Sequence, residues 1–289
     1  MAQTPSSEAR AGLKLISPPA LYAILMLAAP LATVLVYSVL TGERGRVSLP
    51  LTLENYYDLV SRPVYSALMF RSLTVSFFVT LATVLLAYPI AYFVSFHVAP
   101  SRKALWLFLI TIPFWTSYII RVALWRTILG YDGIFDSVVM GLGITDTQPN
   151  ILSNGVLSII ITLAHAYAPF AVLPIFVSLE KVDRSLLEAG QDLGESRLMT
   201  FLRVTLPLSL PGVVAAVLIV FIPTVGDYVT PELIGGGKTP MIANLMEVAM
   251  LKQRDQALGS AIAVAAMTIV ALISVFFVLW NKRYLGGRK

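Results

Sequence analysis

Residues 180–211 read EKVDRSLLEAGQDLGESRLMTFLRVTLPLSLP, and this segment lies between two apolar runs at 155–177 and 210–230. Asp183 is placed to cap a short helix at its N-terminus. Leu186, Ala189, Gly190 and Leu193 follow the i, i+3, i+4, i+7 spacing of one helix face, while Ser185, Glu188 and Asp192 share another. Gly194 stands where a left-handed residue would end that helix. Ser196 can cap a second helix through Phe201, with Pro207 and Pro211 marking its exit. A helix–turn–helix between two apolar runs offers an amphipathic face that a bilayer would not bury. It can lie on lipid or dock to a partner. Interfacial helices favour strongly basic polar faces, whereas here four basic residues are diluted by several acids, so docking is preferred. Ala189 and Gly190 are small enough to let another backbone come close.

The rest of the chain is a membrane protein. Its 289 residues are 57% hydrophobic and 13% charged, with a mean hydropathy of +0.80. A soluble domain of this length cannot hide that much apolar surface. Crossing the hydrocarbon core takes about 20 mainly apolar residues. Six stretches qualify: 21–40, 72–96, 104–124, 155–177, 210–230 and 260–280. Period-2 alternation is absent, which rejects a β-barrel. Pro30, Pro89, Pro113, Pro169, Pro174 and Pro223 fall within the spans, where neighbouring helices can satisfy freed backbone groups; each is either a pathway-shaping kink or ordinary transmembrane proline usage. The expectation is an all-α, six-helix transmembrane bundle.

Basic residues set the orientation. Arg10, Lys14, Arg102, Lys103, Lys181, Arg184, Arg197, Arg203, Lys282, Arg283, Arg288 and Lys289 fall on one side of the six spans. Arg44, Arg46, Arg62, Lys238, Lys252 and Arg254 fall on the other, leaving out Arg71, Arg121 and Arg126 near span ends. The loop 130–154 has no basic residue but holds Asp132, Asp136 and Asp146. Twelve against six places both termini in the cytoplasm, which also accounts for the net charge of +5 without nucleic acid. The first apolar stretch exceeds the 7–15 residues of a signal-peptide core and reads as a retained span. The chain divides into a cytoplasmic tail (1–20), a first helix with its external loop (21–69), a transmembrane domain (70–281) containing the loop 180–211, and a cytoplasmic tail (282–289). The absence of cysteine excludes disulfides, thiolate metal sites and cysteine nucleophiles, and His97 and His165 are too far apart in sequence to suggest a zinc site.

Glu188-Ala189-Gly190, then Gly194, Val204 and Leu206-Pro207, resembles the EAA loop of permease subunits in binding-protein-dependent, type I ABC importers. Gly190 replaces a usual second alanine and Val204 a usual isoleucine, both keeping size and character. The resemblance covers roughly residues 71–280. It implies that Glu188, Ala189, Gly190, Asp192, Leu193, Gly194, Leu206 and Pro207 couple the chain to a cytoplasmic ATPase. It also implies a second, similar permease, two ATPase subunits and an external or periplasmic solute-binding protein in a bacterial inner membrane. ATP and Mg would be used by the ATPase subunits and no cofactor bound by this chain. The one phosphate-loop lookalike, residues 235–239 (GGGKT), has Glu232 where the spacing needs glycine, and reads as turn chemistry.

Residues 221–236 hold Asp227, Tyr228 and Glu232 among the helix breakers Pro223, Gly226 and Pro231. An ionisable residue at membrane depth is costly unless it faces protein or water. Acids beside an aromatic suit an organic ammonium through ion pairing and cation–π contact; equally, the aspartate can cap a break in a re-entrant turn. Residues 226–244, and more weakly 53–57 (LENYY), are similar to spermidine/putrescine permeases, whose relatives also carry opines, phosphonates and iron. Trp115, Tyr118 and Tyr167 are further candidates for the route, or packing and interface anchors. Arg121 and Arg126 would repel a polyamine if they faced the same lumen; near the outer span end they can snorkel or pair with Asp132. A secondary transporter would more often show an internal repeat and intramembrane ion ligands. An intramembrane enzyme would need a metal motif or a nucleophile with its base. Neither pattern is evident.

Overall fold

A computed structural model describes residues 7–43 and 45–285. Of the basic residues used for orientation, Arg44, Arg288 and Lys289 lie outside the described residues, as does the Arg10 side chain. The chain forms two compact units, residues 1–61 with 246–265 and residues 62–245 with 266–289.

The smaller unit begins with helix α1, Ser7–Ser38. The helix starts well before the expected residue 21 and runs through Pro18 and Pro19. Pro18 cannot donate to the Lys14 carbonyl, and the Ser17 hydroxyl donates to that carbonyl instead, at 3.3 Å. None of the apolar window of α1 is buried within the chain. An antiparallel hairpin that the all-α reading did not foresee follows, β1 Leu40–Glu43 with β2 Arg46–Leu51. Helix α2, Glu54–Ser61, is tied to the end of α1 because Tyr56 Oη donates to Ser38 Oγ at 2.8 Å and Asn55 donates to the Leu40 carbonyl at 3.0 Å.

The larger unit is built on three long helices, α3 Pro63–Phe96, α7 Gly155–Leu179 and α10 Leu206–Val225. Proline opens α3 at its first turn, where no N–H is needed, and Asn154 caps α7 by accepting from Leu157 N at 3.2 Å. Val79, Ala87 and Ala91 of α3, Leu163, Ala171 and Ile175 of α7, and Ala216 and Val220 of α10 form the buried centre. Lipid offers little hydrophobic drive for helices to associate, so small residues that allow close van der Waals contact decide which faces meet.

The third expected span is not one straight helix. It divides into α4 Pro100–Thr111, a tight turn Ile112–Trp115, and α5 Tyr118–Leu129 leading to α6 Ile134–Gly141; the two halves are bent by 86°. Pro113 lies in the turn and Thr116 is extended, so the helical ladder cannot continue. Among the described residues five helices are long and apolar enough to cross a membrane, and six spans result when the bent pair is counted as one.

The fifth span also differs from expectation. After α8 Arg184–Asp192, α9 Arg197–Thr200 passes through one widened turn, Phe201–Thr205, straight into α10, so Pro207 and Pro211 mark no exit. Pro207 cannot bond the Arg203 carbonyl, and the turn widens so that Leu206 N reaches Phe201 O. The span ends at Val225; Thr230 belongs to the next short helix, α11 Val229–Gly235. Then come α12 Ile242–Glu247, α13 Gln256–Trp280 and α14 Lys282–Leu285. Half of the apolar window of α7 is buried in the chain but only 11% of that of α13, which marks α7 as the central helix.

Candidate functional site

The loop 180–211 is built from local hydrogen bonds. The Asp183 carboxylate accepts from Ser185 N at 3.0 Å and starts α8, and that backbone bond holds its pKa below the ordinary value. Gly194 has φ +85° and ends the helix. Gly194 N donates to Gln191 O at 2.9 Å and Glu195 N to Gly190 O at 3.1 Å, the paired bonds of a left-handed C-terminal cap. Ser196 Oγ then accepts from Met199 N at 3.3 Å to start α9.

Gly190 turns inward. A Cβ there would stand 3.3 Å from Thr200 Cγ2, so its small size serves the packing of α8 on the following helix. Glu188, Ala189, Asp192, Leu193 and Gly194 are exposed, and Leu186 is 47% and Leu193 87% exposed. Leu206 and Pro207 lie apart from that surface, half-buried in the first turn of α10. Thr200, the packing partner of Gly190, had no signal in the sequence beyond its place in the second helix.

A second cluster joins α5 to α11. Tyr118 Oη donates to Asp227 Oδ2 at 2.8 Å and shares a 2.7 Å hydrogen bond with Thr230 Oγ1. Asp227 Oδ1 accepts from Val229 N at 3.0 Å and Thr230 N at 3.3 Å. The carboxylate, only 7% exposed, therefore caps the turn into α11 and anchors it to α5 at once. Asn244 holds the same turn from α12, donating to Tyr228 O at 2.9 Å.

Tyr167 of α7 lies within electrostatic reach of Asp227 and Arg121. The Arg121 guanidinium stacks over Phe114 at 4.7 Å and Tyr118 at 5.9 Å, and its Nε is buried without a hydrogen-bond partner among the described residues. Trp115 does not join this group: it is exposed, edge-on to Phe108 at 5.4 Å. Glu232 and Tyr228 are exposed as well. Asp132 pairs with Gln148 rather than with either arginine. The glycine-rich segment is a left-handed turn after α11, with Gly236 at φ +54° and Gly237 at φ +74°.

A third cluster, which sequence reasoning counted only as loop charge, lies where α3, α4, α7 and α8 meet. Glu180 Oε1 accepts from both Lys103 Nζ and Ser95 Oγ at 2.6 Å. Arg184 donates to the Ser95 carbonyl at 3.2 Å. Burial would raise the Glu180 carboxyl, but the bonds from Lys103 and Ser95 and the charges of Lys103 and Arg184 outweigh it and lower its pKa.

This architecture, with its capped loop and its buried carboxylate, can be set beside known proteins. Residues 55–286 match the family described as the binding-protein-dependent transport system inner membrane component. The chain belongs to that family. It is thus a multi-pass inner-membrane permease subunit. The permease is 34% identical over 261 residues to the spermidine/putrescine transport system permease protein PotB of Haemophilus influenzae, covering 90% of each chain. It is 35% identical over 243 residues to PotB of Escherichia coli K12, covering 84% of this chain and 86% of that one. The E. coli inner membrane ABC transporter permease protein YdcU is 31% identical over 247 residues, covering 82% of this chain and 77% of its own. Among solved structures, the bacterial alginate ABC transporter in complex with an alginate pentasaccharide-bound periplasmic protein contains a chain that superposes with a TM-score of 0.69, at 15% identity and 94% coverage of each. That likeness shows the fold of the permease.

Proposed function

We propose that this permease is one membrane subunit of an ATP-driven polyamine importer, paired with a second, homologous permease, two cytoplasmic ATPase subunits and an external solute-binding protein. The observation that carries the reading is α8, a helix capped at both ends whose Leu186 and Leu193 stay exposed in a chain similar to spermidine/putrescine permeases. Exposed leucines on a polar loop form a ready socket contact, with Glu188, Ala189, Asp192 and Gly194 beside them. Gly190 sets the angle of the helix pair beneath, and Leu206 and Pro207 set how that pair enters the span. The ATPase subunits supply ATP and Mg chemistry, and the permease holds no nucleotide site of its own. Both termini and the loop 180–211 face the cytoplasm, as the basic residues favour.

Transport proceeds by alternating access: closure of the ATPase pair moves α8, and the loaded binding protein docks on the opposite side. The route runs past Tyr118, Tyr167 and Asp227, with Tyr228, Glu232 and Trp115 nearer its rim. An ammonium group suits this set through the carboxylates and ring faces. Arg121, stacked beside Tyr118, favours a second reading, a solute that carries an anionic group as well.

Purification under gentle conditions with the neighbouring subunits tests the proposal. The expected result is retained ATPase subunits and ATP-dependent spermidine or putrescine uptake in proteoliposomes. ATP-independent uptake by this chain alone, with no ATPase retained, would overturn it. Binding assays on the cognate external protein decide between a polyamine and a zwitterionic solute.

A further inference from the structure

Four elements converge on one carboxylate at the root of α8. Glu180 directly follows α7, Ser95 lies in the last turn of α3, Lys103 in the first turn of α4, and Arg184 opens α8. Both Ser95 Oγ and Lys103 Nζ reach the same Glu180 oxygen, and Arg184 donates to the backbone carbonyl of that same Ser95. That carbonyl belongs to the last turn of α3, where helix carbonyls have no intrahelical partner and carry the negative end of the helix dipole, so a guanidinium is well matched to it. The Arg184 guanidinium also covers the Phe96 ring at 5.9 Å, and the Lys103 ammonium lies 6.0 Å from the Phe176 ring. The Lys103 side chain is 13% exposed and Ser95 is buried, while the Glu180 side chain is 34% exposed and Arg184 lies on the surface, so the joint is enclosed on its α3 and α4 side and open on its α8 side.

Charged hydrogen bonds are short and directional, and a displacement of one partner is passed to the other instead of being lost in sliding apolar contacts. Here the chain of contacts runs from α8 through Arg184 to the Ser95 carbonyl, and from the Ser95 hydroxyl through Glu180 to Lys103. Lys103 lies on α4, and α4 ends at the sharp break before Tyr118. The joint thus connects α8 to the first half of the bent span.

We infer that Glu180, with Lys103, Ser95 and Arg184, is the transmission joint by which the docking helix α8 moves the base of the broken span during transport. These are positioning residues, and the inference rests on the reading of α8 as the ATPase-docking helix.

The test uses the whole transporter in proteoliposomes, with solute uptake and ATP hydrolysis measured together in Glu180→Gln, Lys103→Gln, the double variant and Lys103→Arg. In both single variants the ATPase subunits should still co-purify and hydrolysis stay within about twofold, while uptake per ATP falls about 10-fold. The double variant should be no worse than either single one, because each removes the same interaction. Lys103→Arg should keep uptake per ATP at the wild-type value. Unchanged uptake per ATP in both single variants overturns the joint. So does a proportional fall of uptake and hydrolysis, which marks a merely structural clamp. If Glu180→Gln does not reach the membrane, Lys103→Gln decides alone, since it leaves Glu180 its bond from Ser95. Loss of ATPase subunits from the wild-type preparation would instead remove the docking reading itself, and the joint with it.

Discussion

Gly212 of α10 packs against the backbone carbonyl of Pro174 in α7 with no room for a Cβ between them. A methyl group at position 212 would also stand 3.0 Å from the Ile175 Cα. This backbone-to-backbone crossing lets α10 and α7 meet closely near the Glu180 end of the bundle. In a bilayer such closeness supplies the packing that hydrophobic burial supplies in water.

Replacing Gly212 with alanine should destabilise the permease by about 1–3 kcal/mol, because overpacking must shift backbone atoms as well as side chains. Gly141→Ala at the end of α6, where a Cβ meets nothing within 4 Å, should leave the midpoint unchanged or raise it. Thermal unfolding of the detergent-solubilised protein compares the two. Equal midpoints for both variants would show that the crossing is not tight.

Gly194→Asp should abolish coupled uptake while leaving membrane insertion intact. Nothing crowds a Cβ at this position, so the cost lies in the backbone, which sits at φ +85°. A left-handed L-residue costs about 1–2 kcal/mol, enough to unmake a cap on a nine-residue helix. Asn, which tolerates this region better, should retain part of the uptake. Wild-type uptake by the Asp variant would refute the importance of the cap.

Tyr118→Phe and Asp227→Ala should differ in severity. The first removes one donor to the carboxylate and costs about 1 kcal/mol, while the second strands two backbone N–H groups, leaves the tyrosine hydroxyl only Thr230, and costs about 3 kcal/mol. Unfolding midpoints measured in the same detergent give the order. A larger loss for Tyr118→Phe would mean that the cap on α11 holds without its aspartate.

The Glu180 pair gives a pH signature. Its folded pKa is lowered from 4.5, so its contribution to stability is fully present above the unfolded value and disappears as pH falls through the folded one. The stability difference between the wild type and Glu180→Gln should therefore stay constant from pH 8 to about pH 5.5 and shrink only in acid. A difference that vanished near neutral pH would show that the carboxylate is not held ionised by Lys103 and Ser95.

How much of this could be read beforehand followed the range of the interactions. Asp183, Gly194 and Ser196 were legible as caps because each acts on backbone within five residues of itself. The ends of α3, α7 and α13 at Phe96, Leu179 and Trp280 lay within two residues of where hydropathy placed them. The bend after Pro113 and the widened turn before Pro207 were not legible, since a proline in a membrane helix is accommodated or not according to its neighbours. Gly190 was legible as a point of close approach, but the group that approaches it, Thr200 on the next helix, was not.

The sequence by itself determined the class of this protein, the place of most of its spans and the caps of the loop 180–211, because hydropathy and capping are properties of short windows. Only the tertiary structure decided which polar groups meet. Tyr118 finds Asp227 across 109 residues and Lys103 finds Glu180 across 77, and no window of sequence spans either. Inside the bundle a polar side chain must take whichever partner the packing of α3, α7 and α10 brings within reach, and that choice is made by helix geometry rather than by neighbours in the chain.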